Sequence, residues 1–339
     1  MSIRMAFAGF RHGHIFDLYR RARELPEIEV VAACEEDAAT RAKLAQEGAV
    51  TISHSNLDRM LAEVACDAVA VGDYYAKRGQ LALEALEHGK HVLSDKPLCT
   101  SLDELDEIER LSAEKGLCVD VMLDMRDVAP FITAREIVQE GTIGEVHAVS
   151  FGGQHPLLLG TRPEWYFEPG KHGGTINDIA IHALDAIPWI TGLQFVTVNA
   201  ARCWNAFATE VPHFEGAGQM MLTLENGAGV LGDVSYVMPD SSGYVLPLYW
   251  RMTFWGRKGV LEVSYNALHA SLALNGEEGL RQVPLSEANR GGYLRSFLRD
   301  VEGALIGDEL CTAQSLRAAR LALTIQKAAD AGEREVSLA

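Results

Sequence analysis

Over residues 1–123 the chain alternates short apolar runs with helical stripes. Ile3 to Ala8 reads as a strand running into Gly9, and Ile15, Leu18, Tyr19 and Ala22 then recur at the spacing of one helix face. Residues 28–34 form a second run rich in β-branched side chains, and 67–71 a third. A helix through Leu81 and Leu86 stops at Gly89, and 91–94 is the next strand. Ser101 with Glu104 makes a capping-box signature before the stripe Leu105, Ile108 and Leu111; Gly116 ends that helix, and 117–122 is strand again. Strands apolar on both faces and separated by helices predict a parallel sheet covered on both sides.

The second half changes pattern. Segments 145–154, 195–203, 217–224, 227–237, 246–255 and 259–265 read as longer strands, with Asn226-Gly227 as a hairpin signal between two of them. Helices over 131–140, 174–190 and 315–331 frame them, the last stopped by Gly332. The expectation is an α/β domain over 1–123 followed by an α+β domain over 124–339 with a large, mostly antiparallel open sheet. The helix at 315–331 is placed to pack back on the first domain.

Length and composition support two ordinary globular domains: 339 residues, 48% hydrophobic and 23% charged, against a usual domain of about 100–200 residues. A net charge of −17 argues against a nucleic-acid phosphate backbone or an anionic membrane as partner. No apolar run approaches the ~18 residues of a membrane span, and the N-terminus lacks a secretory apolar region. A cytoplasmic protein is expected. The six cysteines (34, 66, 99, 118, 203 and 311) are scattered, without C-x-x-C or zinc spacing, and read as reduced, mostly buried thiols.

Three motifs carry chemistry. A strand ending at Gly9 and opening into a helix suits a dinucleotide pyrophosphate, because backbone N–H groups and the helix dipole face an anion there. The run Gly9-Phe10-Arg11-His12-Gly13-His14 keeps only the first glycine of G-x-G-x-x-G, so an ordinary strand-to-helix turn is the competing reading. Glu35 follows the second strand, where a carboxylate can accept from a ribose 2′-OH; a solvated acidic turn with Glu36 and Asp37 is the alternative. Asp95-Lys96-Pro97 stands directly after a strand, at the sheet edge where ligands bind in such folds, or is simply a turn. Sharpest is the third motif: after His172-Gly173-Gly174, residues Asp178, His182 and Asp185 fall on one face of an apolar helix. Three ionisable groups there are costly to bury without partners or use. They suit acid–base work, with a wet helix face or, less well supported, a metal site as alternatives.

Together the motifs resemble the glucose–fructose oxidoreductase / inositol dehydrogenase (Gfo/Idh/MocA) family. The resemblance runs from Gly9 through Glu35, Ala85-Leu86, Gly89 to Val92, Asp95-Lys96-Pro97, Arg126, Pro130, the 141–146 segment, Gly173-Gly174, Asp178, His182 and Asp185 to the 189–192 segment. It implies an N-terminal Rossmann domain, an NAD(P) cofactor, and oxidation of a secondary alcohol of a sugar or polyol. Lys96, Asp178 and His182 match the family's catalytic positions. The chain departs from the family at three places: Asp95 replaces Glu, Gly72-Asp73-Tyr74-Tyr75 replaces Thr-Pro-Asn, and Arg78 replaces a His.

The expected cofactor contacts are Gly9, Phe10, Arg11, His12, Glu35, Asp73, Asp95, Lys96 and Pro97. The expected substrate contacts are Lys96, Arg126, His155, Trp165, Tyr166, Asp178 and His182, with Arg162 and His172 nearby. No metal is expected. His182 is expected as general base and Lys96 as stabiliser of the alkoxide. NAD is expected over NADP, because Glu35 would repel a 2′-phosphate. The outer face of the second domain's sheet needs a cover, which predicts a homodimer or homotetramer. Two rival functions share these features: an enzyme that uses retained NAD without net redox, and a sugar or NAD sensor without turnover.

Overall fold

The computed structural model describes residues 2–247, 249–289 and 291–338; Leu248 of the strand expected over 246–255, and the domain limits Met1 and Ala339, lie outside the described residues. The chain folds as two compact units. The first comprises Met1–Met122, Pro163–Gly173 and Tyr293–Ala319; the second comprises Leu123–Arg162, Gly174–Gly292 and Arg320–Ala339. One unit boundary falls between Met122 and Leu123, and two later segments fold with the first unit.

In the first unit, β1 (Ile3–Ala8), β2 (Ile28–Cys34), β3 (Ala68–Val71), β4 (His91–Ser94) and β5 (Val119–Val121) form one sheet in the order β2-β1-β3-β4-β5. Every pairing is parallel. All residues of β3 are buried, as their apolar run on both faces requires. Helices follow each of the first four strands, and two helices lie between β2 and β3: Ala38–Glu47, which buries only Leu44, and Leu57–Glu63, which buries Leu57, Met60 and Leu61. They start at side-chain caps: Asp37 accepts from the Thr40 N–H at 2.7 Å and Asn56 from the Arg59 N–H at 2.9 Å. Ser101 caps Leu102–Lys115 through the Asp103 N–H. The helix Thr312–Ala331 begins against β5, where Thr312 Oγ1 accepts from the Val119 N–H and Ser315 Oγ from the Val121 N–H.

Among the described residues the second unit is built on nine strands: β6 (Val146–Pro156), β7 (Phe195–Trp204), β8 (Ala217–Leu224), β9 (Gly229–Met238), β10 (Trp250–Gly256), β11 (Gly259–Ser264), β12 (Ala270–Leu274), β13 (Arg281–Val283) and β14 (Arg334–Ser337). Their order is β13-β12-β11-β10-β6-β9-β8-β7-β14. Only β6 with β9 pairs in parallel among them. The Asn226-Gly227 turn joins β8 to β9, with Asn226 Oδ1 accepting from the Ala228 N–H. Burial alternates along β8 and β9, as a sheet with one covered face demands. Met221, Leu231 and Val237 stay exposed on these strands.

The helix expected over 174–190 has two parts: a π-helical turn, Ile176–Ala180, then an α-helix, Ile181–Thr191. Its start is fixed from outside. Gln326 Oε1 accepts the Ile176 N–H at 2.9 Å. Gly174 has φ +99°, and a Cβ there would lie 2.2 Å from Gln326 Cδ, so glycine is required for this approach. All six cysteines are free thiols. Among the described residues no helix is long and apolar enough to cross a membrane.

Candidate active site

The β1 end of the first unit is a tight turn held by side chains. Gly9 has φ +79°, and a Cβ there would sit 2.5 Å from Asp73 Cβ, so no other residue fits. The turn delivers the chain to the N-terminus of the helix His14–Glu24. Glu35, at the end of β2, is fully buried; its two oxygens accept from the Phe10 N–H at 2.7 Å and the Asp37 N–H at 2.8 Å. Burial pushes its carboxyl upward, with Asp73 adding to the push and the two N–H groups opposing it. Arg11 lies beside Asp73, with Nε 2.6 Å from Oδ1 and Nη2 donating to Oδ2 at 3.0 Å. Its guanidinium lies over the Tyr74 ring at 4.5 Å.

A second cluster sits at the end of β4. Asp95 is fully buried and accepts from Arg78 Nη2 at 2.9 Å. Burial opposes its ionisation, but the Arg78 guanidinium, with His12 and His14, outweighs burial and holds the carboxyl well below the usual range. Arg78, itself fully buried, also donates to the carbonyls of Asp73, Lys96 and Pro97. His12 Nδ1 contacts Asp95 Oδ2, and His14 Nδ1 lies 3.1 Å from Oδ1. Burial pushes His12 down to about 3, so its ring is neutral at pH 7. His12, His14 and Asp95 are the ligand types of a metal site and lie close together. Here Arg78 supplies the positive charge that the carboxylate needs. Lys96 follows directly and is buried.

In the second unit Asp178, His182 and Asp185 are all buried, on the helix the sequence singled out. Each meets a different element. Asp178 Oδ2 accepts the hydroxyl of Tyr236 from β9. His182 Nδ1 lies 3.7 Å from Asp124 Oδ1, and its ring stands edge-on to Trp250 at 5.6 Å. Asp185 takes both Nε and Nη2 of Arg126. This bidentate ion pair fixes the Arg126 guanidinium against the helix. His155 stands among Tyr236, Tyr244, Tyr249 and Trp250, with ring centroids 5.1 to 6.0 Å away.

The expected cofactor residues thus all lie in the first unit, and Arg126, His155, Asp178 and His182 all lie in the second. Trp165 and Tyr166 fold with the first unit, buried beside His12 and Tyr75. Sequence reasoning missed Tyr236 and Asp124, and the partnership of Arg78 with Asp95. Tyr236 lies 58 positions from Asp178 on another element, and no local pattern links the two.

The sequence pattern of the family described as "Oxidoreductase family, NAD-binding Rossmann fold" matches residues 3–123, and that of the "GFO/IDH/MocA C-terminal domain" matches residues 131–262. An oxidoreductase of Synechocystis sp. is 24% identical over 49% of this chain and 45% of its own length, so the chain spans about half of that relative. A 1,5-anhydro-D-fructose reductase of Ensifer adhaerens is 27% identical over 77% of both chains. The solved structure of an oxidoreductase from Thermotoga maritima superposes with a TM-score of 0.83 at 27% identity, covering 98% of this chain and 100% of that one.

Proposed function

The chain belongs to the Gfo/Idh/MocA family of oxidoreductases, with an N-terminal NAD-binding Rossmann domain and a C-terminal domain, and from that premise we propose that it transfers a hydride between a secondary alcohol of a sugar or polyol and NAD. The observation that carries the reading is the buried Asp178–His182 face of the second unit's helix, an expensive arrangement unless it is used. The name of the Ensifer relative supports a sugar-type substrate.

The first unit fits a dinucleotide: an anion would meet the N-terminus of His14–Glu24, and the Glu35 carboxylate stands at the end of β2. When bound, the nicotinamide ring supplies the acceptor for the hydride. The proton is the protein's task. His182 takes the alcohol proton as general base, and the Asp124 carboxylate 3.7 Å from its Nδ1 favours the imidazolium that forms. Asp178, oriented by the Tyr236 hydroxyl, fixes the alcohol. Lys96 offsets the negative charge that develops on the oxygen.

The reading includes NAD rather than NADP. Glu35 is a buried carboxylate at the adenosine end, and a 2′-phosphate brings about −1.5 to −2 charges toward it. Unit charges 4 Å apart repel by ~4 kcal/mol at an effective dielectric near 20, and ~1.4 kcal/mol is tenfold in affinity. Arg11 is the loop cation that could reverse this, and Asp73 already neutralises it. Titration with both cofactors, followed by a panel of sugars and polyols with the tighter one, tests the proposal. NAD should bind at least tenfold more tightly and support turnover. Equal binding of NADP would assign the adenosine end to Arg11.

The exposed Met221, Leu231 and Val237 support a second copy as cover for that sheet face, giving a homodimer or homotetramer. Light scattering at micromolar concentration should report one of these; a monomer would remove this part of the reading.

A further inference from the structure

We propose that Tyr166 and Trp165 are positioning residues for the dinucleotide pyrophosphate: they hold, through His12 and the Arg11 carbonyl, the loop that glycines would otherwise shape. The inference rests on the NAD-binding reading above and concerns the first unit alone. The loop carries Arg11 and His14 where a glycine-rich turn has its second and third glycines. Side chains of this size restrict the backbone, so the loop needs other means of holding its path.

The structure supplies them. The Pro163–Gly173 segment folds with the first unit although it lies some 150 residues further along the chain. Trp165 Nε1 donates to the Arg11 carbonyl at 2.9 Å. Tyr166 Oη lies 2.9 Å from His12 Nε2, and Tyr75 Oη lies 2.6 Å from Tyr166 Oη. The direction of this chain is set at its far end. Asp95, ionised, can only accept, so His12 donates from Nδ1 and its Nε2 carries the lone pair. Tyr166 must then donate to Nε2, and its oxygen accepts from Tyr75. His12, Tyr75, Trp165 and Tyr166 are all buried, which makes an unmade bond here costly. The Tyr75 hydroxyl lies 3.4 Å from His12 Nε2, too far to replace Tyr166 at full strength. The rings of Trp165 and Tyr166 stack at 4.1 Å, so the two residues act as one plate against the loop.

The latch acts on the loop's backbone, so it bears on ligands that carry a pyrophosphate. The adenosine moiety belongs to the Glu35 end, which meets the loop before the latched residues, at the Phe10 N–H, and so should feel the latch least. The test uses the full chain and two conservative variants, Tyr166→Phe and Trp165→Phe, each of which keeps the ring and removes one donor. Affinities for NAD, ADP-ribose and adenosine are measured for all three proteins. Each variant should weaken NAD and ADP-ribose by about five- to thirty-fold, the effect of one buried donor lost, and leave adenosine within twofold. Equal weakening of all three ligands would mean general disruption and would overturn the proposal, as would unchanged affinity for NAD in both variants. An unmodified chain that binds neither NAD nor ADP-ribose overturns the NAD reading itself, and this inference with it.

Discussion

Replacing His182 with alanine lowers turnover by about 10²–10⁴-fold, the usual worth of a positioned general base, while NAD affinity stays unchanged. The imidazole lies on the second unit's helix beside Asp124 and Trp250. The cofactor loop belongs to the first unit, so binding and chemistry separate in this variant. A loss confined to KM would mean that His182 only binds substrate. Turnover within a few-fold of the parent at neutral pH would remove it from the proton step. Tyr236→Phe is the companion variant: it leaves His182 in place and frees Asp178 from its hydroxyl partner, so its turnover should fall by less.

Replacing Arg78 with methionine destabilises the protein by about 3–5 kcal/mol, the range for breaking a buried ion pair from one side. Asp95 would keep its burial and lose the guanidinium that holds it ionised. The carbonyls of Asp73, Lys96 and Pro97 would lose their donor in the same step. Chemical denaturation measures the loss as a lowered midpoint. The double variant Arg78→Met with Asp95→Asn should recover part of it, because the stranded charge is gone. A cost below about 1 kcal/mol for Arg78→Met would show that the pair does not organise this end of the sheet. The pair also explains two of the departures from the family pattern. Asp95 is one carbon shorter than the expected Glu, and Arg78 is longer than the expected His; at 2.9 Å the longer partner reaches the shorter one.

The parallel sheet was legible in the sequence because its strands are buried on both faces and stand out as unbroken apolar runs. The Asn226-Gly227 turn and the Ser101 cap were legible for a similar reason, since each is a local signal with a local cause. Ala38–Glu47 buries only Leu44, so no stripe announces it; its Asp37 cap was the available sign. The strands β12, β13 and β14 are short, and β13 and β14 close the two edges of the sheet. Half-exposed strands of a few residues carry little periodicity. Asp178, His182 and Asp185 were legible as one buried helical segment because helical spacing is local. The partners that define them, Tyr236, Asp124 and Arg126, come from other elements, and their approach depends on tertiary packing. The π-helical turn at Ile176–Ala180 was equally invisible, since residue spacing cannot distinguish it from an α-turn. The latch of Trp165 and Tyr166 on the nucleotide loop joins positions 154 apart. Read locally, the two aromatics point only to substrate contacts.

The central claim, hydride transfer between an alcohol and NAD, is tested most directly by a single-turnover reaction. The protein is mixed with NAD and with a sugar or polyol deuterated at its secondary carbinol carbons. The account predicts reduced nicotinamide carrying one deuterium per carbonyl group formed. Both products should be lost together in the His182→Ala variant. NAD binding without reduced nicotinamide across the panel, from a protein that is folded and saturated with cofactor, would contradict the claim.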